Sequence, residues 1–387
     1  MLKPVEHDDR LSEASESSDR LRSTSLMTSM RLRQALCVAL LSTGAGSIDG
    51  AVVINTWPFT HATAAAFEAL TASGGDSTHH ALDAITAGCN RCEIDQCDFT
   101  VGYGGSPDSE GETTLDAMIL DGTTMGMGAV ARLRRVKDAI KVARAVMEHT
   151  AHSILAGDGA LAFAKMMGFQ EESLETDKSR AMYTAWRAQQ CQPNYFRNVV
   201  AQNASCPPYR PLHTAFRVDA HDERFDLISS KNHDTIGMVV LDGDAQMAAG
   251  TSSNGANHKV AGELGTKGTN WRLRRRVGDA AVPGAGAYVD SQYGGAAATG
   301  DGDIMMRFLP SFHAVQDMAN GMHPQTACER ALMRVARVFP SFKGGMVCLN
   351  RLGEYGGAGH GWQFSYSVQT SAMRHPQIVQ VEPMALE

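Results

Sequence analysis

The sequence predicts an α+β fold in which blocks of strands and helices pack as a layered sandwich. The chain has 387 residues, of which 43% are apolar and 20% charged, so it is long enough for one large core or two domains. Short apolar segments with strand character alternate with segments of helical spacing. Helices beside a sheet must bury their apolar stripes on its faces, so a layered arrangement follows.

The first predicted elements lie between residues 51 and 147. Apolar side chains at Val136, Ile140, Ala143 and Met147 recur at helical spacing, which predicts an amphipathic helix. The predicted elements in this part are a strand at Ala51–Asn55, helices at Ala62–Ala72 and around His80–Ala87, strands at Met118–Leu120 and Gly126–Leu133, and a helix at Val136–Met147.

The middle of the chain is predicted to be a loop or linker. Residues from about Glu171 to Asn232 show no sustained periodicity and include Pro193, Pro207, Pro208 and Pro211. Prolines and polar clusters interrupt regular structure, so no helix or strand is expected there.

The pattern sharpens after this linker. Ile236–Leu241 is an apolar strand, Asp242-Gly243 is a turn signal, and Met247–Ser252 is the returning strand of a hairpin. Thr235 therefore stands at the head of a strand. The remaining predicted elements are strands at Ala287–Asp290 and Ala296–Thr299, helices at Asp303–Asn320 and Pro324–Val338, and strands at Gly345–Asn350 and Trp362–Gln369.

The N-terminal segment, residues 1–47, is predicted to be a polar extension and a signal peptide. The first thirty residues are rich in Ser, Asp, Glu and Arg and are not expected to fold alone. Arg31 and Arg33 then precede the apolar stretch Ala35–Leu41 and a run of small residues, which is the order of a secretory signal starting at Met27 or Met30. This stretch is too short for a permanent transmembrane helix.

Charge argues against a nucleic-acid partner. The net charge is -7, and the chain lacks the long basic face that would neutralise phosphates. Its one basic run, Arg272–Arg276, is predicted to be a solvated loop.

Cysteine usage fits a secreted chain. Seven cysteines remain when Cys37 of the predicted signal is set aside, so one is expected to stay free. Cys89, Cys92 and Cys97 lack a second Cys/His pair at zinc-binding spacing, so short disulfides are favoured over a metal site. Asn203-Ala204-Ser205 is a glycosylation acceptor triplet.

Thr235 is the candidate with distinctive chemistry. An Asp–Thr turn at the start of a strand would explain the local pattern without any function. If the chain were cleaved before Thr235, however, its new α-amine, with a pKa of about 8, could act as a base for its own hydroxyl.

Six segments, in the same order along the chain, resemble the glycosylasparaginases, a family of N-terminal-nucleophile hydrolases. The resemblance extends from about Val52 to Gln369. The segments are Asn55–Phe59 (NTWPF), Gly102–Asp108 (GYGGSPD), Gly111–Met118 (GETTLDAM), His233–Val240 (HDTIGMVV), Pro283–Tyr288 (PGAGAY) and Ala298–Asp303 (ATGDGD).

The resemblance implies a four-layer αββα sandwich and a self-cleaving enzyme without a cofactor or metal. Scission between Asp234 and Thr235 would give an α chain, 48–234, and a β chain, 235–387, that together form one domain. The mature enzyme would then hydrolyse the bond between N-acetylglucosamine and asparagine, using Thr235 as nucleophile.

The same resemblance assigns the other site residues. Arg276 and Asp279 would hold the free α-carboxylate and α-amine of the substrate, a pairing suited to a zwitterion. Thr299 and Gly300 would form the oxyanion hole, Ser253 would hydrogen-bond near Thr235, and Trp57 would line the sugar side, although a core aromatic is the alternative for Trp57. The remaining substrate-binding positions are Val277, Gly278, Asp301 and Gly302.

Matching family bridges imply the disulfides Cys92–Cys97, Cys191–Cys206 and Cys328–Cys348, which leave Cys89 free. The chain departs from the family at Glu263–Arg275, an insertion just before Arg276. Arg274 and Arg275 are thus alternatives for the carboxylate-binding arginine, and Arg276 is favoured because Val277-Gly278-Asp279 follows it.

Two alternatives stand beside this interpretation. One is a related Thr-nucleophile L-asparaginase or β-aspartyl (isoaspartyl) peptidase, and the other is a non-catalytic secreted binding protein. The resemblance further implies a lysosomal enzyme of the secretory pathway, a dimer of α/β heterodimers, and no membrane attachment once the signal is removed.

Overall fold

The computed structural model describes residues 50–72, 79–201, 205–212, 235–261 and 276–386. The predicted leader and signal, the glycosylation site Asn203, the scissile residue Asp234 and the insertion Glu263–Arg275 lie outside the described residues.

Strands dominate the framework of the described residues. They are β1 (Val52–Thr56), β2 (Leu115–Asp121), β3 (Met127–Leu133), β4 (Ile154–Ala156), β5 (Val199–Ala201), β6 (Tyr209–Pro211), β7 (Ile236–Leu241), β8 (Met247–Ser253), β9 (Ala287–Asp290), β10 (Gly294–Gly300), β11 (Gly344–Asn350), β12 (Tyr355–His360), β13 (Phe364–Thr370) and β14 (Gln377–Val381).

Most of these strands belong to two sheets. The larger sheet has eight strands in the order β14-β13-β1-β7-β8-β2-β3-β4, and the smaller has four in the order β12-β11-β10-β9. Neighbouring strands are antiparallel except β3 and β4. The central strands β7 and β8 are buried throughout, and they contact β9 and β10 of the smaller sheet.

Helices pack against both sheets and make the fold a mixture of α and β structure, as the sequence predicts. The helices are α1 (Thr60–Thr71), α2 (His80–Asp95), α3 (Ala139–His149), α4 (Gly157–Met166), α5 (Asp177–Ala188), α6 (Gly302–Phe308), α7 (Pro310–Ala319) and α8 (Pro324–Ala336). Helices α2 and α3 contact the larger sheet, whereas α7 and α8 contact the smaller. Within the described ranges, none of the helices has the length and apolar character needed to cross a membrane.

A buried carboxyl group ties α2 to the larger sheet. Glu93 accepts hydrogen bonds from the Ser252 hydroxyl of β8 (2.6 Å) and from the Ile140 amide at the start of α3 (2.9 Å). Burial raises the pKa of Glu93 to about 7. The contact fixes Ser252, which directly precedes Ser253, the last residue of β8.

The prediction of a featureless linker from Glu171 to Asn232 is wrong in its described part. Helix α5 begins with a reciprocal capping box between Thr176 and Ser179 and buries Trp186. Two short strands, β5 and β6, follow. The capping hydrogen bonds satisfy main-chain amides at the start of the helix. The weak apolar periodicity of this segment does not predict that helix.

The single helix predicted at Asp303–Asn320 is also wrong, because the segment forms α6 and α7. Leu309 has a left-handed φ of 51°, and Pro310 opens the next helix. A proline inside a helix removes an amide donor and clashes with the preceding turn. Strand β12 was not predicted because its Tyr355–His360 segment contains three glycines, which are poor strand formers.

The structure contains the three disulfides that the family resemblance implies. Cys92–Cys97, Cys191–Cys206 and Cys328–Cys348 are bonded, and Cys89 is a buried free thiol. Two of the bridges close short loops, and the third links α8 to β11.

Candidate active site

Thr235 lies at the head of β7 and is 2% exposed. The Thr56 hydroxyl donates a hydrogen bond to the Thr235 carbonyl (2.7 Å) and accepts one from the Gly237 amide (2.9 Å). The Thr56 side chain of β1 therefore holds the backbone on both sides of Ile236. This contact fixes the position of the Thr235 backbone.

Thr299 lies next to Thr235, on β10 of the smaller sheet. Its hydroxyl oxygen accepts the Thr235 amide (3.0 Å) and the Trp57 indole N–H (3.0 Å). A hydroxyl has two lone pairs and one hydrogen. With both lone pairs occupied, the Thr299 hydrogen is free to be donated, which is what a developing oxyanion requires.

Gly300 ends β10 at a place where only glycine fits. Its φ is +126°, and a Cβ there would lie 2.4 Å from the Lys343 carbonyl oxygen. Residues with side chains rarely adopt this conformation. The backbone directly after Thr299 therefore requires glycine.

Trp57 is both a core aromatic and a neighbour of Thr299. It is 5% exposed and makes edge contacts with Trp362 and Phe364, with ring centroids 5.2 and 5.4 Å apart. These contacts orient the indole N–H toward the Thr299 hydroxyl. Its sequence-based assignment to the sugar side stays a prediction.

Ser253 is the last residue of β8. The register pairs Ile236 with Ser252, so the next position brings Ser253 opposite Thr235. Ser253 is 3% exposed, and its hydroxyl accepts the Gly255 amide (2.9 Å). The Ser253 hydroxyl is thus held at the Thr235 end of the hairpin.

Arg276 packs against an acidic partner and its side chain is 13% exposed, unlike the solvated loop predicted for Arg272–Arg276, of which it is the one described residue. Its Nε and Nη2 atoms both lie 3.0 Å from Asp303 Oδ2. Burial alone would lower the pKa of Arg276, but the nearby carboxylates of Asp303, Asp116 and Asp279 raise it above its usual value. The guanidinium is therefore charged and fixed.

Asp279 is a buried carboxylate, and one of its two oxygens is available to bind a ligand. It is 4% exposed, and its Oδ2 atom has no hydrogen-bond partner among the described residues. Burial raises its pKa to about 7, although Arg276 opposes this shift. A ligand ammonium placed beside Asp279 would favour the ionised carboxylate and complete its hydrogen bonding.

Gly302 brings Asp279 close to the end of β10. A Cβ on Gly302 would lie 2.1 Å from Asp279 Oδ1, so this approach needs glycine. Gly302 follows Gly300 by two residues, so Asp279 lies against the segment that directly follows Thr299. The structure thus brings the predicted nucleophile beside Thr299, and Asp279 beside the segment after β10.

Among the other predicted substrate-binding positions, Asp301 and Gly278 have identifiable local contacts. Asp301 caps α6 by accepting the Ile304 amide (3.1 Å), and burial raises its pKa to about 6. Gly278 lies so near Asp116 that a Cβ would be 2.5 Å from its Oδ2 atom. Val277 is 37% exposed. The Asp301 hydrogen bond fixes the start of α6, and Gly278 allows the backbone to approach Asp116 closely.

Sequence reasoning did not identify Asp303, Thr56 or Lys259 as parts of the site. Asp303 and Thr56 lie inside segments that carry the family resemblance, and their polar character was the available signal. Lys259 lies in a less distinctive segment, and only the tertiary structure brings it to Arg276.

Comparisons with known proteins identify the family and relatives of this chain. Residues 36–377 match the protein family described as Asparaginase. A Drosophila yakuba protein named putative N(4)-(beta-N-acetylglucosaminyl)-L-asparaginase is 49% identical over 328 residues, which cover 84% of this chain and 79% of that protein. The Mus musculus protein named N(4)-(beta-N-acetylglucosaminyl)-L-asparaginase is 47% identical over 337 residues, or 86% of this chain and 91% of its own length.

A plant relative carries a different name. The Arabidopsis thaliana protein called probable isoaspartyl peptidase/L-asparaginase 3 is 43% identical over 344 residues, which cover 86% of this chain and 90% of that protein.

Proposed function

This chain belongs to the asparaginase family, and from that premise we propose that it hydrolyses the amide bond of N4-(β-N-acetylglucosaminyl)-L-asparagine. The observation that carries the proposal is the buried Thr235 at the head of β7, with its main-chain nitrogen bonded to the Thr299 hydroxyl. Cleavage before Thr235 would place its amine, its hydroxyl and an oxyanion donor in one location.

The finer architecture that we infer is the four-layer αββα sandwich. Helices α2 and α3 cover the larger sheet, the two sheets meet through β7, β8, β9 and β10, and α7 and α8 cover the smaller sheet. These contacts support four layers in the order helix, sheet, sheet, helix.

Self-cleavage comes first in the proposed mechanism. The Thr235 hydroxyl attacks the carbonyl carbon of Asp234, the carbon–nitrogen bond breaks, and the nitrogen takes the proton to become an amine. Water then hydrolyses the resulting ester, which returns the Thr235 hydroxyl and leaves a carboxylate on Asp234. The products are the α chain, 48–234, and the β chain, 235–387.

Amide hydrolysis uses the same hydroxyl. The freed amine, with a pKa of about 8, takes the hydroxyl proton as oxygen attacks the substrate amide carbonyl. Thr299 and Gly300 stabilise the oxyanion, and the proton passes to the departing glycosylamine. Water then cleaves the aspartyl ester on Thr235 and releases aspartate.

Arg276 and Asp279 would select a free amino acid over a residue within a peptide. The guanidinium binds the α-carboxylate and the Asp279 carboxylate binds the α-ammonium, so both charges of the zwitterion are matched. A peptide-linked asparagine lacks these charges and would leave the buried Asp279 carboxylate without an ammonium partner.

Asp303→Asn should raise the KM for glycosylasparagine by roughly tenfold, because Arg276 loses a charge-assisted partner of the kind worth about 1.5–3 kcal/mol. The value of kcat should change less, since Asp303 lies behind the guanidinium. Steady-state kinetics check this, with Asp317→Asn on α7 as the control. An unchanged KM would show that Asp303 does not orient Arg276.

The second candidate function is that of an L-asparaginase or β-aspartyl peptidase, which the name of the Arabidopsis relative favours. Purified protein should be incubated in parallel with glycosylasparagine, L-asparagine and β-aspartyl dipeptides. We expect the highest kcat/KM for glycosylasparagine. A higher value for a dipeptide or for asparagine would favour the second candidate, and no hydrolysis of any of them would favour a non-catalytic binding protein.

Assembly and location follow as parts of the proposal. We infer two chains from one precursor, associated as a dimer of heterodimers, in a lysosomal compartment reached through the secretory pathway. The three disulfides support an oxidising route, because such bonds persist in secreted and lumenal proteins. Size-exclusion chromatography with light scattering measures the assembly, and microscopy of the tagged precursor tests its location.

A further inference from the structure

Lys259 is a buried lysine close to the proposed substrate-binding pair. It is 4% exposed, and its ammonium donates hydrogen bonds to the main-chain carbonyls of Ser106 (3.2 Å) and Asn254. Ser106 belongs to the loop before β2, whereas Asn254 directly follows Ser253 at the end of β8. The ammonium therefore adds a side-chain link between two segments that main-chain hydrogen bonds also join, among them the bond from the His258 amide to the Pro107 carbonyl (2.7 Å).

The same ammonium lies beside Arg276. Gly255 lies between the two cations: a Cβ built on it would be 3.3 Å from Arg276 Nη1 and 3.7 Å from Lys259 Nζ. Gly255 has a φ of +73° and no side chain to separate them. Two positive groups therefore face one small region of backbone.

Buried carboxylates accompany these cations. Asp108 pairs with Arg132 (3.2 Å), and Asp116 accepts the Arg132 amide (2.8 Å). Burial lowers the pKa of Lys259 to about 8, Asp108 and Asp116 oppose that shift, and Arg276 and Arg132 add to it. Burying a charged lysine costs free energy unless hydrogen bonds and opposite charges stabilise its ammonium group.

We propose that Lys259 is a positioning residue for the α-carboxylate of the substrate. It fixes the Asn254–Gly255 turn against the Ser106 loop, and it adds a second positive charge next to Arg276. This inference rests on the proposed function, because it assigns Arg276 to that carboxylate. The proposed reaction steps at Thr235 do not involve the Lys259 ammonium, so this role is separate from them.

The charge of Lys259 has a consequence that a purely structural lysine would not have. The Lys259 ammonium also attracts a carboxylate that is bound at Arg276. Solvent and salt screen this attraction only weakly, because Lys259 is buried. A ligand with a neutral amide in place of the α-carboxylate gains nothing from that second charge. Lys259 should therefore increase the preference for a carboxylate ligand.

The test compares L-aspartate with L-isoasparagine, in which the α-carboxylate is replaced by a neutral amide. Calorimetry gives the Kd of each for the processed wild type, for Lys259→Met and for Lys259→Arg, with Lys165→Met on the exposed side of α4 as the control. We expect Lys259→Met to reduce the preference for L-aspartate by about tenfold, as a lost neighbouring charge would. Lys259→Arg and Lys165→Met should retain the preference.

Equal weakening of both ligands by Lys259→Met would mean that the lysine is only structural, and it would overturn the proposal. So would an unchanged preference, or a wild type that does not prefer L-aspartate. If Lys259→Met does not fold, Lys259→Gln is used in its place. Lys259→Gln keeps a hydrogen-bond donor for the two carbonyls but removes the charge. Hydrolysis of glycosylasparagine by the wild type is assayed separately, so its absence would overturn the proposed function while calorimetry decides the role of Lys259.

Discussion

Thr235→Ala should remain a single uncleaved chain and lose amide hydrolysis, by roughly 10⁴-fold or more, as expected when a nucleophile is removed. One hydroxyl performs both reactions in the proposed mechanism, so its loss blocks chain scission and turnover together. Wild-type protein should migrate as two chains, with the smaller beginning at Thr235. Denaturing electrophoresis, N-terminal sequencing and an amide-hydrolysis assay measure the two outcomes.

Thr235→Ser is the matched control for this experiment. It keeps the hydroxyl but lacks the methyl group that restricts the side-chain rotamer. We therefore expect slower self-cleavage and slower turnover, with neither abolished. An uncleaved Thr235→Ala protein with near-normal activity would show that another nucleophile carries the chemistry.

Arg276→Ala should lower kcat/KM for glycosylasparagine by roughly 100-fold, in the range seen when one partner of a buried charge pair is truncated. Asp279→Ala should have a comparable effect. Self-cleavage should continue in both variants, because the Asp234–Thr235 peptide bond does not present the free α-carboxylate and α-amine of the substrate. Kinetics and electrophoresis of the same preparations separate binding from processing.

Asp279→Asn refines this experiment because it preserves shape while removing the negative charge. It should weaken substrate binding as Asp279→Ala does, whereas Arg330→Ala, on an exposed part of α8, should behave as wild type. If Arg276→Ala or Asp279→Ala failed to process, the altered residue would be structural and its assignment to substrate would be wrong.

The hairpin containing Thr235 could be predicted closely from local sequence. Two apolar segments flank Asp242-Gly243, and the structure confirms strands β7 and β8 there. The connecting loop is longer than a two-residue turn, because the Asp242 side chain accepts the amides of Asp244 and Gln246 and organises five residues. Local chemistry was sufficient to place Thr235 at a strand head.

The surroundings of Thr235 could not be predicted in the same way. The Thr56 and Thr299 hydroxyls reach it from strands far away in sequence, and the pairing of Arg276 with Asp303 requires α6 to begin beside Asp279. Resemblance to a family could name several of these residues. Their hydrogen bonds depend on sheet packing, which periodicity does not encode.

The Thr235 hydroxyl should become acylated during turnover. Processed enzyme should be mixed with glycosylasparagine, quenched in acid before the ester hydrolyses, digested and mapped by mass spectrometry. We expect an aspartyl group bound as an ester to the peptide that begins with Thr235, and its loss on longer incubation. Rapid turnover with the aspartyl group on another residue, or with none on Thr235 at any quench time, would show that Thr235 is not the nucleophile.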